Sequence, residues 1–197
     1  MRYYNYLTES KDIDYTAIVK DCGFFFNSIQ YGNFYLYRGM KNDKKMVKKD
    51  VRTDRHPLDS SLFLHTKLNK IFKELYGVNL RSSSLFATGD YKIAKSYGKL
   101  HLIFPIGKFD YYWSQNIRDL FIDADDMWIS YGNSMDLLDE YMKELKSMIS
   151  KNYNKNGSLI SAITSKHEIM ITCKNYYAVR VDSFDDVADV YSKLREY

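Results

Sequence analysis

An α+β fold is what this sequence predicts, and three observations carry the prediction. Runs with helical periodicity and runs of strand-type residues both recur along the chain. Most of the strand-type runs fall after residue 80. No internal repeat, low-complexity tract or Pro/Ser-rich linker divides the sequence. At 197 residues the chain fits one domain over 1–197, with an N-terminal helical portion over about 1–32 and a core over about 33–197. A chain of this size buries roughly 70% of its extended surface, so it needs no metal or disulfide to hold it.

The elements follow in order. "YTAIVKDCGFFFNSI" (15–29) places Ile18, Val19, Cys22, Phe25, Phe26 and Ile29 at helical spacing. "NFYLYRGM" (33–40) reads as a short aromatic strand and "KKMVKKDVR" (44–52) as a weaker, charged one. "PLDSSLFLHTKLNKIFKELYG" (57–77) is a helix that opens on proline and stops at glycine. "SLFAT" (84–88) is a strand and "GDYKIAKSYG" (89–98) a brief helix closed by Gly98. "LHLIFPIGKFDYYWS" (100–114) gives two strand pieces broken at Pro105 and Gly107. "SMDLLDEYMKELKSMISKNY" (134–153) is the clearest amphipathic helix, and "NKNG" (154–157) a turn. "HEIMITC" and "YYAVRVD" then form a hairpin around "KN" (174–175), before a final helix capped by Ser183.

Composition narrows the function classes. A net charge of +4 is too small for a dedicated nucleic-acid binder, although "KNDKKMVKKDVRTDR" (41–55) concentrates the cations. Nineteen tyrosines and eleven phenylalanines suit either a binding surface or half-buried strands. Cys22 and Cys173 make no disulfide framework, which suits a reducing compartment. Neither a charged-then-apolar leader nor an apolar run of about eighteen residues occurs. The expectation is a soluble, cytoplasmic protein with no membrane contact.

Several chemistries lack their residues. There is no GxGxxG, P-loop or Gly-x-Ser-x-Gly elbow, and the four histidines and two cysteines lack metal-ligand spacing. Three stretches remain. "YLYRGM" ends a strand on Arg38 and Gly39; an arginine fork suits phosphate, and a surface arginine at a strand end is its plainer reading. "SSSLFATGDYKIAKSYG" runs a small-hydroxyl strand into a short helix, where Ser84 and Thr88 suit ribose or amide contacts or else an N-cap and turn. "KHEIMITC" opens a strand on Glu168, either a solvated strand end or a placed carboxylate. Separately, "RTDRHP" (52–57) offers Arg52 and Arg55 as a phosphate or acceptor patch, or as a charged strand end.

In this order the three stretches resemble the ADP-ribosyltransferase superfamily, particularly its small phage-encoded and toxin-like members. "LYRG" resembles the family's first element, "FATGDYKIAKSYG" the middle one with Ala94 and Tyr97, and "EIMI" the last; "HLIFPI" looks like its central strand. The resemblance spans residues 34–182. It implies mixed or antiparallel strands in a split sheet with flanking helices. It also implies NAD as substrate and transfer of ADP-ribose to an unknown acceptor, a host protein or nucleic acid. Glu168 would be catalytic. Arg38, Gly39, Ser84, Thr88 and Tyr97 would bind the dinucleotide, and Arg52, Arg55, Lys166 and His167 would contact acceptor or phosphate; no metal is implied.

Two departures from the family pattern stand out. The family's Ser-Thr-Ser becomes Phe86-Ala87-Thr88, with Ser84 on the same strand face as Phe86. Lys166 stands where arginine-modifying members carry Glu or Gln, which disfavours a guanidinium acceptor. A second resemblance, of "RTDRHP" and "FPIGKFDYYWS" to phage-encoded proteins, carries no activity. The competing reading is a non-catalytic phage protein or inhibitor that binds a host protein or nucleic acid through its aromatic and basic surface.

Overall fold

The computed structural model describes residues 12–57 and 61–197. Residues 1–11 of the expected N-terminal helical portion, and 58–60 of the expected 57–77 helix, lie outside the described residues. The chain runs α1 (Tyr15–Asp21), α2 (Gly23–Ser28), β1 (Tyr37–Met40), β2 (Met46–Asp50), α3 (Leu62–Tyr76) and α4 (Leu80–Ser83). It continues through β3 (Leu85–Thr88), α5 (Tyr91–Ser96), β4 (Lys99–Pro105), β5 (Asp110–Ser114) and α6 (Leu120–Ser130). A 3-10 turn (Met135–Leu137) leads into α7 (Leu138–Asn152), then β6 (Tyr153–Lys155), α8 (Leu159–Thr164), β7 (Glu168–Thr172), β8 (Asn175–Arg180) and α9 (Phe184–Leu194). The protein is α+β, with an antiparallel sheet.

Local chemistry explains the boundaries. The expected 15–29 helix is two helices that meet at Cys22, which serves as C-cap of α1 and N-cap of α2 beside the helix-weakening Gly23. α3 starts at Leu62 rather than at Pro57, because Ser61 accepts the Leu64 N–H and caps it there. It stops at Gly77, whose left-handed φ of 78° is a common helix ending. Asp90 caps α5 through the Lys92 and Ile93 N–H groups, and Ser183 with Asp186 forms a capping box on α9.

The sheet order is β2-β8-β4-β1-β3-β7-β5-β6. β1 and β3 share one register pair, Tyr37 with Thr88, so the sheet is split there into two four-stranded halves. The expected hairpin of 167–173 with 176–182 does not form. β7 pairs with β3 and β5, while β8 pairs with β2 and β4 in the other half. Hydrophobic burial decides this. Both strands are apolar on both faces, with Ile169, Met170 and Ile171 in β7 and Tyr176, Tyr177, Ala178 and Val179 in β8 all buried. Each takes an interior place with a neighbour on either side rather than pairing with the other.

Two apolar clusters fill the layers. One packs α1, α2 and α9 with β4, β8 and the Ile169–Ile171 face of β7. The other packs α3, α6 and α7 with Tyr112, Tyr153 and Met170. Strand alternation therefore puts Glu168 on the Met170 face of β7, at the margin of the second cluster. Directly opposite Glu168 is Thr88, and opposite Met170 is Phe86. No helix among the described residues is long and apolar enough to cross a membrane.

A candidate active site at the split of the sheet

Where β1 and β3 diverge, side chains meet in place of the missing ladder. Arg38 leaves β1 and donates from Nη1 to the Phe86 carbonyl at 2.6 Å. Burial lowers its pKa, although it remains charged. The neighbouring Gly39 has a packing reason of its own. A Cβ there would sit 2.1 Å from the Ala94 carbonyl oxygen, so only glycine lets α5 close on β1.

Glu168 opens β7, and its carboxylate Oε1 lies 2.7 Å from Arg81 Nη1 of α4. The Arg81 and Glu168 side chains are only 13% and 19% exposed, so the pair interacts with little screening. Desolvation raises the Glu168 pKa; Arg81 opposes that shift, and Asp119 adds to it. Asp119 is delivered by a short turn. Ser114, buried at the end of β5, accepts from the Asn116 and Ile117 N–H groups, and the Glu168 N–H donates to the Arg118 carbonyl at 3.2 Å. Asp119 then caps α6 by accepting from Phe121 and Ile122.

Arg81 is held by Ser82. That residue's Oγ accepts from Asn69 Nδ2 at 2.7 Å and lies 3.0 Å from His65 Nε2, while its carbonyl accepts the Arg55 N–H at 3.1 Å. α3, α4 and the coil after β2 are tied together at this one serine. The Arg55 and Arg81 guanidinium carbons lie 4.5 and 4.6 Å from the Phe86 ring centroid, within cation–π range. Burial, with Arg38 and Arg81 nearby, lowers the Arg55 pKa to about 10, against the pull of Glu168.

The remaining sequence-chosen residues divide. Ser84 is buried and its Oγ finds no hydrogen-bond partner among the described residues. Thr88 Oγ1 donates to the Lys166 carbonyl at 2.9 Å and accepts the Asp90 N–H at 3.1 Å, which closes the turn into α5. Tyr97, the C-cap of α5, is 67% exposed, at the rim. Its phenol pKa is pushed up by desolvation and then by Asp119 and Glu168. Lys166 is exposed, in a left-handed turn with φ 62°. His167 donates from Nδ1 to the Ser114 carbonyl at 3.0 Å, which anchors the start of β7 to the end of β5. Arg52 stands apart, exposed and 3.5 Å from Asp54.

Sequence reasoning missed Arg81, Asp119 and Tyr153. Tyr153 is a buried phenol raised well above its usual range by desolvation and then Glu168. Arg81 directly precedes the run Ser82-Ser83-Ser84, and its charge is the signal that the sequence offers. Asp119 caps a helix that was not foreseen. Among the described residues, no group of three or more His, Cys, Asp or Glu side chains is placed to hold a metal ion. A separate groove of about 660 Å³ opens at the far end of β5 and β7, beside Phe24, Lys108, Asp110, Ser158 and Thr172.

The site is therefore bipolar. Arg38, Arg55 and Arg81 supply the positive charges and Glu168 and Asp119 the negative ones, with Arg81 in direct contact with Glu168. No protein-family model, curated protein or solved structure matches the chain. The fold and site define the class: an α+β protein with a charged cluster at the split of an antiparallel sheet.

Proposed function

We propose that this protein is a mono-ADP-ribosyltransferase of the ADP-ribosyltransferase type that cleaves NAD at the nicotinamide–ribose bond. The observation that carries the reading is the bipolar site. NAD is itself bipolar, with a negative diphosphate and a nicotinamide ring whose positive charge moves onto the ribose as the bond breaks. Arg38 suits the diphosphate. Glu168 suits the ribose hydroxyls and offsets charge that develops only in the transition state. The exposed Tyr97 residue supplies a stacking face at the rim, while Ser84, four residues before Thr88 and roughly 13 Å along the strand from the level of Glu168, does not join the site.

The chemistry balances without a further reactant. The bond from the ribose anomeric carbon to nitrogen breaks, and nicotinamide leaves as a neutral base with the electron pair. The acceptor nucleophile bonds to the anomeric carbon and loses its proton to solvent or a basic group. Lys166, exposed two residues before Glu168, puts a positive charge at the acceptor side, which disfavours guanidinium acceptors. Incubation with labelled NAD and a cell lysate tests transfer: a labelled species that is lost with Glu168→Gln identifies the acceptor class, and no labelled species with either protein contradicts transfer.

The second reading is a non-catalytic binding module, favoured by one observation. The Glu168 carboxylate is already matched by Arg81, as in a purely structural ion pair. Under that reading NAD is neither bound nor cleaved.

A further inference from the structure

We propose that Arg38, Arg55 and Arg81 form one binding site for a diphosphate group, and that this anion and Glu168 compete for Arg81. The identity of the diphosphate rests on the NAD reading above; the competition does not depend on bond cleavage.

Three guanidiniums from three separate segments, β1, the coil after β2 and α4, converge around Phe86. Burial, and then the like charges of Arg38 and Arg81, lower the Arg55 pKa. The Arg55 guanidinium is half-buried, makes no hydrogen bond or ion pair among the described residues, and stacks on the Phe86 ring. A guanidinium carries five N–H donors in a planar fork, and one aromatic face satisfies none of them. Arg38 spends one donor on the Phe86 carbonyl, and Arg81 one on Glu168. The remaining donors, gathered at Phe86 by its ring and its carbonyl, match the several acceptor oxygens of a diphosphate.

Arg81 is the link between the two sides. It touches the carboxylate at 2.7 Å and the ring that also carries Arg55 at 4.6 Å. Its charge therefore serves Glu168 when no anion is present and is shared with the diphosphate when one binds. The bound anion draws positive charge away from the carboxylate, leaving Glu168 free to accept from a ribose hydroxyl. Arg81 is in this sense a positioning residue for Glu168. Arg52, exposed and paired with Asp54, lies outside the site.

Calorimetric titration with inorganic pyrophosphate at fixed ionic strength tests this, using wild type, Arg55→Gln, Arg81→Gln, Glu168→Gln and Arg52→Gln. Pyrophosphate binds wild type, binds Arg55→Gln and Arg81→Gln about tenfold or more weakly, and binds Arg52→Gln unchanged, as loss of a charge-assisted contact dictates. Glu168→Gln binds it several-fold more tightly, because its competitor for Arg81 is gone. If Arg81→Gln does not fold, Glu168→Gln alone still reads the competition. No binding to wild type, or an affinity that Glu168→Gln leaves unchanged or lowers, overturns the proposal. Tighter binding by Glu168→Gln in a protein that never releases nicotinamide would sink the transferase reading and leave this one standing.

Discussion

Thr88 and Glu168 face each other across β3 and β7, and Thr88 is also the residue through which β3 meets Tyr37 of β1. The one register pair between the two halves of the sheet is thus one strand away from the candidate catalytic carboxylate. Glu168 stands at the split because the ladder from β1 to β3 ends there, and side chains occupy the opening.

The ion pair of Glu168 with Arg81 makes the two partners unequal under mutation. Arg81→Ala leaves a mostly buried carboxylate unmatched and is expected to destabilise the protein by about 3 kcal/mol. Glu168→Gln keeps a hydrogen-bond acceptor for Arg81 and removes a carboxylate that desolvation already penalises, so its cost is expected to be smaller, about 1 kcal/mol. Urea denaturation of both variants checks the order.

The raised pKa of Glu168 has a kinetic consequence. Ribose binding and charge stabilisation need the carboxylate ionised, so nicotinamide release should fall on the acid side at a pH above the ordinary glutamate value of about 4.3. Arg81 holds that pKa down against burial. Arg81→Gln should therefore move the acid limb to higher pH, and a pH–rate profile of both proteins reads the shift.

His101 offers a separate pH dependence, in stability. It is fully buried, donates from Nδ1 to the Lys99 carbonyl at 2.8 Å, and leaves Nε2 without a partner among the described residues. Burial lowers its pKa, so the folded state prefers the neutral ring. Stability from this group is present above the unfolded value of about 6.5 and is lost as pH falls through the lowered folded value. His101→Asn, whose amide can replace the Nδ1 donor, should flatten the fall in urea midpoint between neutral and mildly acidic pH. His65 shifts in the same direction and keeps a residual slope.

Two glycines should respond oppositely to alanine. Gly39→Ala drives a Cβ to 2.1 Å from the Ala94 carbonyl and is expected to cost about 1–3 kcal/mol, as overpacking does. Gly23→Ala meets nothing within 4 Å at the first position of α2 and is expected to be neutral or stabilising by up to about 1 kcal/mol. Thermal melts of the pair distinguish a packing glycine from a permissive one.

Much of this was legible in the residues, and the exceptions have physical reasons. The α+β class and the long helices α3, α7 and α9 follow from periodicity and caps such as Ser61 and Ser183. Strand pairing did not follow, because β7 and β8 are apolar on both faces and such strands carry no alternation to say which neighbour they take. Arg38, Thr88 and Glu168, chosen from their order, lie on β1, β3 and β7, whereas Ser84 precedes β3 at the end away from the Thr88–Glu168 pair, roughly 13 Å along the strand. Arg55 joins them through a coil whose path no local pattern encodes. Arg81 lies on α4 and Asp119 caps α6, two helices that the periodicity does not predict.

The most direct test of the central claim is nicotinamide release from NAD by the purified protein, wild type against Glu168→Gln. The expected result is release by wild type that drops about 10²–10³-fold in the variant while its melting temperature stays near that of wild type, as removal of a transition-state charge partner does. Release no faster than in buffer for wild type, or equal release by both proteins, would contradict it.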